Sequence, residues 1–178
     1  EKKIPYKRAW VKYTPTWPRS FMPQNQETRD LVAKMKLIPI RDIIKGKHIA
    51  ICDDSIVRGT QLKDNVKILF EHEAKEVHVR PACPTLIFPC EFLNFSTSRS
   101  SLDLAGRKAI KELEGKEDVH LAEYATPGTS RYHAMIDKIG KKLGCTSLKY
   151  QELNDLVECV GLPKEKLCTH CWDGSSYF

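Results

Sequence analysis

Residues 49–60 read IAICDDSIVRGT, and this stretch decides the fold that the sequence predicts. Its first four residues are apolar, and Asp53 and Asp54 follow them directly. A short apolar run of this kind is typical of a fully buried strand in a parallel sheet. Because open α/β sheets bind ligands at the carboxyl ends of their strands, the two carboxylates are predicted to stand at the mouth of a binding site.

The residues after the acidic pair favour anion binding. Residues 55–60 carry two hydroxyl groups, Ser55 and Thr60, and contain Gly59. They lead into residues 61–70, whose apolar side chains recur at helical spacing. Backbone N–H groups at a helix N-terminus bind phosphate, and carboxylates suit vicinal sugar hydroxyls or hydrated Mg²⁺. The sequence therefore predicts a ligand with a phosphate and one of these partners for the acids.

The order of an apolar strand, two acids and SIVRGT resembles the phosphoribosyl pyrophosphate signature of the type I phosphoribosyltransferases. A plain helix cap, the alternative interpretation, needs only one acid. The resemblance implies an α/β fold, with part of a parallel sheet flanked by helices. It also implies that Asp53 and Asp54 engage the ribose hydroxyls and Mg²⁺. The residues that it assigns to the 5′-phosphate are Ser55, Val57, Arg58, Gly59 and Thr60.

Composition narrows the partners. The 178 residues carry a formal net charge of +6, but no basic stripe interleaved with aromatics indicates nucleic-acid binding. An anionic small substrate or an ordinary solvated surface accounts for the charge. No apolar run approaches the length of a membrane span, and the first residues lack a signal peptide, so we expect a cytoplasmic protein without a membrane partner.

Proline and hydrophobic periodicity organise the rest of the chain. We expect a core in residues 1–100 and a helical extension in residues 101–178. The core is predicted to hold a strand in 4–12, a proline-rich lid or surface connector over 13–23, a helix over 24–37, a short turn at 40–44, a strand at 76–80 and a packed loop at 81–89. The extension is predicted to hold helices over 97–116, 131–143 and 150–160, with a loop between 116 and 130.

Seven cysteines without secretory features favour reduced thiols over a disulfide framework. Cys168 and Cys171 form a C-x-x-C pair, which alone fits a redox pair, half a zinc site or no site. Cys90 could add a third thiolate, which favours zinc or an iron–sulfur cluster, and His170 is a strained fourth candidate for zinc. We interpret Cys52, Cys145 and Cys159 as small core residues.

A wider resemblance covers nearly the whole chain. It is to the amidophosphoribosyltransferase family, glutamine-dependent enzymes of purine synthesis, and it departs at residues 103–138 and 13–18. The segments that carry it are RSFMP at 19–23, MKL at 35–37, VHVR at 77–80, PC at 89–90, SLKY at 147–150, LVE at 156–158, GLPKEK at 161–166 and CTHCWDG at 168–174.

This resemblance implies a transferase that displaces pyrophosphate from phosphoribosyl pyrophosphate with ammonia. Lys12 and Arg19 are then expected to meet the pyrophosphate. Cys90, Cys168 and Cys171 match three of the four ligands of a [4Fe-4S] cluster, and the fourth is expected upstream of Glu1. The glutaminase domain is expected there too, so we expect this chain alone to have no glutamine-dependent activity. A homo-oligomer is also implied.

Three other interpretations stay open at this point. A different type I phosphoribosyltransferase, or a non-catalytic regulator that binds phosphoribosyl pyrophosphate, would share the acidic pair but would not need the three cysteines. A metal-binding interaction module would need the cysteines but not the acids. Reduced thiols left over without a cluster would account for the cysteines alone.

Overall fold

The computed structural model describes residues 4–12, 37–90, 92 and 101–175. The chain divides into two compact units, one of residues 1–49 and 68–76 and the other of residues 50–67 and 77–178. Within the described ranges, no helix combines the length and apolar character that crossing a membrane requires.

Some predictions fall outside these ranges. The proline-rich segment at 13–23, most of the helix at 24–37 and the boundary near residue 100 lie among residues that the structure does not describe, so they stay predictions. Leu37, predicted as the last residue of that helix, instead begins a strand.

The first unit contains a short antiparallel ribbon and one helical turn. β1 (Trp10–Lys12) pairs with β2 (Leu37–Pro39), so the strand predicted in 4–12 is confined to its last three residues. α1 (Arg41–Ile44) follows and confirms the turn predicted at 40–44. The Glu73 carboxylate accepts from Lys45 at 2.9 Å and from the first residue of α1, and these bonds lower the pKa of Glu73.

A three-stranded parallel sheet positions the acidic pair. β3 (His48–Asp53), β4 (Glu76–Pro81) and β5 (Ser147–Leu148) lie side by side in that order. α2 (Thr60–Glu71) connects the first two strands, and its buried side chains recur at helical spacing. The α/β class, the signature strand, the helix after it and the strand at 76–80 are therefore confirmed.

The prediction that β3 is fully buried is wrong. Ile49 and Ile51 are half-buried, and the other four residues of the strand are exposed. In the described part of the chain, β3 pairs on one side only, because it lies at the edge of the sheet. The buried strand is its neighbour β4, in which Val77 and Val79 are fully buried.

Two cysteine interpretations are wrong for a similar reason. Cys52 lies on the exposed edge strand, and Cys159 lies on the exposed side of a helix, so neither is a core residue. Cys145 is half-buried, with its thiol 3.6 Å from the Gly140 carbonyl, and burial raises its pKa.

The second unit continues as a largely helical extension. Short 3₁₀ turns lie at Ser101–Asp103 and Lys164–Lys166. The helices are α3 (Ala105–Glu114), α4 (Leu121–Ala125), α5 (Ser130–Leu143), α6 (Leu153–Val160) and α7 (His170–Asp173). α3 packs against α5, and their apolar stripes form much of the core of this unit.

Short elements account for most of the differences from the sequence analysis. α4 interrupts the predicted loop at 116–130, and it has no side-chain cap to announce it. β5 has only two residues, too few for alternation to reveal. The helix predicted from residue 150 begins three residues later, and its apolar Val160 is 50% exposed rather than inward-facing.

Glu114 is the node that joins three of these helices. Tyr124 of α4 donates to Glu114 at 2.8 Å, and Arg131 of α5 donates to it at 3.1 Å. Arg131 also donates to Glu123 at 2.9 Å. The bonds from Tyr124 and Arg131 lower the pKa of Glu114, while burial raises the pKa of Tyr124 to about 12.

This node predicts a pH dependence. A carboxyl with a lowered folded pKa stabilises the fold above its ordinary value of 4.5, and that stabilisation disappears as the pH falls through the lowered value. We expect Glu114→Gln to make stability fall less steeply below pH 4.5, measured by urea unfolding across an acid series. Glu158→Gln on α6 is the control, and equal slopes for wild type and Glu114→Gln would contradict the assignment.

Gly106 lets α3 approach the loop after β4 closely. A Cβ at this helical position would lie 2.8 Å from the Leu86 carbonyl oxygen and 3.2 Å from Thr85 Cγ2. Backbone cannot retreat as a flexible side chain can, so the contact requires the missing Cβ. The helix and the loop are therefore fitted to each other along their backbones.

We expect Gly106→Ala to destabilise the protein although alanine is the better helix former. The propensity gain of about 1 kcal/mol is opposed by overpacking that costs about 1–3 kcal/mol, and the carbonyl contact favours the upper part of that range. Chemical denaturation measures the net change. Gly140→Ala on α5 is the matched control, since its Cβ would meet Leu148 Cβ at 3.4 Å and Cys145 Sγ at 3.9 Å, both at ordinary contact distance. Equal stability gains in both variants would show that the loop yields.

Candidate functional site

The acidic pair lies at the carboxyl end of the sheet. Asp53 is the last residue of β3, and its carbonyl accepts from the N–H of Ala82, just beyond β4, at 2.8 Å. Its side chain accepts from the N–H of Asp54 at 3.0 Å, and Ser55 Oγ donates to Asp54 at 3.0 Å. Both aspartates are exposed, so their carboxylates are accessible to a ligand.

The loop after the pair is held at its middle. Ile56 is 3% exposed and serves as an apolar anchor. The Val57 carbonyl accepts from the N–H of Ala105, the first residue of α3, at 2.7 Å. Arg58 donates to Asp103 at 3.1 Å, an ion pair between exposed groups. Residues of the helical extension thus directly support residues 55–60, which we call the signature loop.

Gly59 is the residue of the loop that directly precedes the first residue of α2. It has φ +77°, a conformation that glycine adopts without strain, and its carbonyl accepts from the N–H of Lys63 at 2.9 Å. The N–H groups of the first helical turn have no partner within a helix, and this turn contains no acidic residue. The positive end of the α2 dipole is therefore favourable for an anion.

The sequence-predicted residues divide into those that the structure brings together and those that it does not place. All seven predicted substrate-binding residues lie in one continuous segment of eight residues from Asp53 to Thr60, in which Ile56 is the eighth. The Arg58 guanidinium is engaged with Asp103, so contact with a phosphate requires that pair to open or the backbone of Arg58 to serve. Lys12 ends β1 in the first unit, and Arg19 lies outside the described residues.

The three predicted cluster ligands belong to one unit and differ in exposure. Cys90 is 5% exposed, Cys171 is half-buried in α7, and Cys168 is exposed. Burial raises the pKa of Cys171 to about 11, and the neighbouring thiols of Cys90 and Cys168 add to the effect.

The structure brings two of these thiols together. The Cys90 and Cys171 thiols interact directly, and Cys168 lies close enough to influence Cys171. Thiolates are ligands of zinc and of iron–sulfur clusters alike, so this donor set fits either group. His170 Nδ1 contacts the Ser175 carbonyl at 2.7 Å.

Sequence reasoning missed several residues that shape this region. Cys83 lies close enough to Asp54 for that carboxylate to raise its pKa, although burial is the main cause of a value of about 11. Arg107 is 7% exposed, and burial lowers its pKa. Its signal was present, because Arg107 follows Leu104 and precedes Ile110 by three residues and so falls on the buried stripe of α3.

Curated proteins give matches along almost the whole chain, whereas no family model matches it. Amidophosphoribosyltransferase from Methanothermobacter thermautotrophicus is 31% identical over 171 residues, covering 96% of this chain and 30% of the relative. That from Methanocaldococcus jannaschii is 30% identical over 174 residues, covering 98% of this chain and 31% of the relative. A chloroplastic one from Glycine max is 38% identical over 156 residues, covering 88% and 23%.

Solved structures agree on the fold. Glutamine phosphoribosylpyrophosphate amidotransferase from B. subtilis, complexed with ADP and GMP, superposes with a TM-score of 0.67 at 24% identity, over 98% of this chain and 33% of its own. The structure of the allosteric regulatory enzyme of purine biosynthesis gives a TM-score of 0.69 at 25% identity, over 98% and 32%.

Together with the acidic pair at the strand end, these neighbours define an α/β protein of the type I phosphoribosyltransferase fold. The chain is homologous to the C-terminal, phosphoribosyltransferase part of amidophosphoribosyltransferases. It spans 30 and 31% of the length of the two archaeal relatives, so the activity of a whole enzyme is a matter of proposal.

The geometry of Gly59 predicts a local effect of substitution. Alanine at φ +77° costs about 1–2 kcal/mol, and its Cβ would lie 3.2 Å from Leu143 Cδ2. We expect Gly59→Ala to lower stability and also to weaken stabilisation by Mg²⁺ with phosphoribosyl pyrophosphate, measured by thermal shift. Gly115→Ala is the control, since φ is +79° there and nothing lies within 4 Å. Equal ligand-induced thermal shifts in the two variants would show that Gly59 does not contribute to ligand binding.

Proposed function

We propose that this chain is the phosphoribosyltransferase part of an amidophosphoribosyltransferase, a glycosyltransferase of purine biosynthesis. The reaction transfers ammonia to phosphoribosyl pyrophosphate and gives phosphoribosylamine. The observation that carries the proposal is the continuous segment from Asp53 to Thr60, which joins two exposed carboxylates to the positive end of α2. Homology over 96% of the chain supports the same assignment.

The segment offers separate partners for two parts of the substrate. Carboxylate oxygens of Asp53 and Asp54 accept hydrogen bonds from the vicinal ribose hydroxyls. N–H groups of the loop and of the first turn of α2 donate to the 5′-phosphate, with the hydroxyls of Ser55 and Thr60 beside them. Because Ile56 and the bond from Ala105 to Val57 fix the loop, little ordering is left for the ligand to impose.

The displacement asks for positioning and charge stabilisation rather than covalent catalysis. The nitrogen lone pair of ammonia forms a bond to C1 while the C1–O bond breaks, and pyrophosphate leaves with that electron pair. The amine then loses a proton to solvent. Positive charge develops on the ribose ring in this transition state, and the fixed carboxylates of Asp53 and Asp54 stabilise it. Lys12 and Arg19 are proposed to bind the departing pyrophosphate.

The donor set at the acidic pair suits a hard divalent cation, since both side chains offer exposed carboxylate oxygens. We therefore include Mg²⁺ in the proposal, held by Asp53 and Asp54. When bound, Mg²⁺ would neutralise charge on the pyrophosphate.

We also propose an iron–sulfur cluster on Cys90, Cys168 and Cys171, with a fourth ligand from outside these residues. The interaction between the Cys90 and Cys171 thiols and the burial of Cys90 support it. The proposed role is structural, because the cluster would join α7 to the loop that carries Cys90. A glutaminase domain is the proposed source of ammonia, and a homo-oligomer is the proposed assembly.

The acidic pair gives the decisive test. We expect Asp53→Asn/Asp54→Asn to abolish the stabilisation that phosphoribosyl pyrophosphate with Mg²⁺ confers, because the amides lose both charge and metal affinity. At a ligand concentration 100-fold above its Kd, wild type should gain about 2.7 kcal/mol. Thermal unfolding with and without ligand measures the gain.

The control is Asp42→Asn/Asp137→Asn, which makes the same charge change at two exposed positions. It should keep the full gain. An acidic-pair variant that is stabilised as strongly as wild type would overturn the transferase proposal. A variant that loses ligand-induced stabilisation in a protein whose wild type forms no phosphoribosylamine from ammonia would favour a non-catalytic regulator.

A further inference from the structure

We propose that Arg107 is a positioning residue that holds the loop carrying Cys90 against Cys171, and thereby sets the spacing of two cluster ligands. The inference rests on the proposed iron–sulfur site. We call residues 82–90 the bridging loop, because it leads from the end of β4 near Asp53 to Cys90.

The side chain of Arg107, on α3, is buried against the bridging loop. Its Nε donates to the Ile87 carbonyl at 2.6 Å, and its Nη1 donates to the Glu117 carbonyl at 2.8 Å. The guanidinium carbon lies 5.7 Å from the centroid of the Phe88 ring, within range of a cation–π contact. A single side chain therefore contacts two consecutive residues of the loop.

The same two loop residues bind the helix that carries Cys171. The N–H groups of Ile87 and Phe88 both donate to the Cys171 carbonyl, at 3.0 and 3.1 Å. The Phe88 ring packs 5.9 Å from the ring of His170. A shift of the loop at Ile87 and Phe88 would therefore also shift the backbone of α7.

Phe88 also packs closely on the backbone after α7. A Cβ at Gly174 would lie 2.7 Å from Phe88 Cε1, so the ring lies against this glycine. The half-buried Phe88 side chain therefore contacts both the Arg107 guanidinium and the residue that follows α7.

Helix α3 is also fitted to the loop next to Arg107. The neighbouring residue, Gly106, allows α3 to approach the Leu86 carbonyl to a distance that no Cβ would permit. Two neighbouring helix residues, Gly106 and Arg107, therefore contact two neighbouring carbonyls of the loop. Cys90 follows three residues after Ile87 and is itself buried.

Arg107→Met keeps a side chain of similar length but leaves the carbonyls of Ile87 and Glu117 without this donor. A buried acceptor that loses its partner lowers stability, so a general loss accompanies any effect on the loop. Positioning is therefore recognised by a cluster that is lost faster than the change in stability explains.

The experiment compares Arg107→Met and Arg107→Lys with wild type in the full-length protein, purified under anaerobic and reducing conditions. Lys108→Met is the matched control, because it removes one positive charge from the exposed face of the same helix. Iron and acid-labile sulfide are measured per chain, and loss of the visible cluster absorption is followed in excess chelator. Thermal unfolding of the metal-free proteins reports stability.

We expect Arg107→Met to lose the cluster to chelator about 10-fold faster than wild type, the lower end of the effect of removing a residue that orients metal ligands. Its metal-free thermal midpoint should lie below that of Lys108→Met, because two backbone carbonyls lose a donor. Cluster lifetimes are therefore compared at temperatures equally far below the midpoint of each variant. Arg107→Lys should recover part of the cluster lifetime, since an ammonium retains a donor. Wild-type cluster lifetime in Arg107→Met, or a loss that follows the thermal midpoint alone, would overturn the proposal.

A metal-free measurement separates this proposal from the proposed cluster. Phenylarsine oxide bridges neighbouring thiols, and its affinity for Cys90 and Cys171 reports their spacing without iron; Cys171→Ser gives the background. If wild type holds neither iron nor sulfide, the cluster proposal fails. In that case weaker arsenical binding by Arg107→Met than by Lys108→Met still supports positioning of the thiol pair, and equal binding overturns it.

Discussion

The hydrogen bond from the N–H of Ala82 to the Asp53 carbonyl is the constraint on which the site depends. It joins the carboxyl ends of β3 and β4, so the acidic pair and the start of the bridging loop share one edge of the sheet. β3 has a partner on only one side within the described residues. This bond therefore helps to fix the end of the exposed edge strand and the position of Asp54, which follows it.

Two loops leave this edge of the sheet, one after β3 and one after β4. The helical extension contacts both. The signature loop is held by the N–H of Ala105, and the bridging loop is held by Gly106 and Arg107. Three consecutive residues at the start of α3 thus support both loops. Displacement of α3 would disturb the proposed anion-binding segment and the proposed cluster ligands together.

The sequence was most informative where a local pattern coincides with a local element. The apolar run before Asp53, the periodicity of α2 and the alternation of β4 each predicted an element that the structure contains. Burial was harder to predict, because it depends on neighbours far along the chain: β3 reads as buried but lies at an edge, and Val160 reads as inward-facing but is half-exposed. The spacing of Arg107 from Leu104 and Ile110 indicates its burial, but its partners are backbone carbonyls, which have no sequence signature.

The contact between Gly59 and Leu143 bears on how this protein can be divided. Leu143 is the last residue of α5, and its Cδ2 lies 3.2 Å from where a Cβ on Gly59 would stand. A residue of the helical extension therefore packs against the glycine of the proposed phosphate site. A gene cut near residue 100 would keep every signature residue and still give a loop without its support, so the extension is part of the smallest unit that can be transplanted.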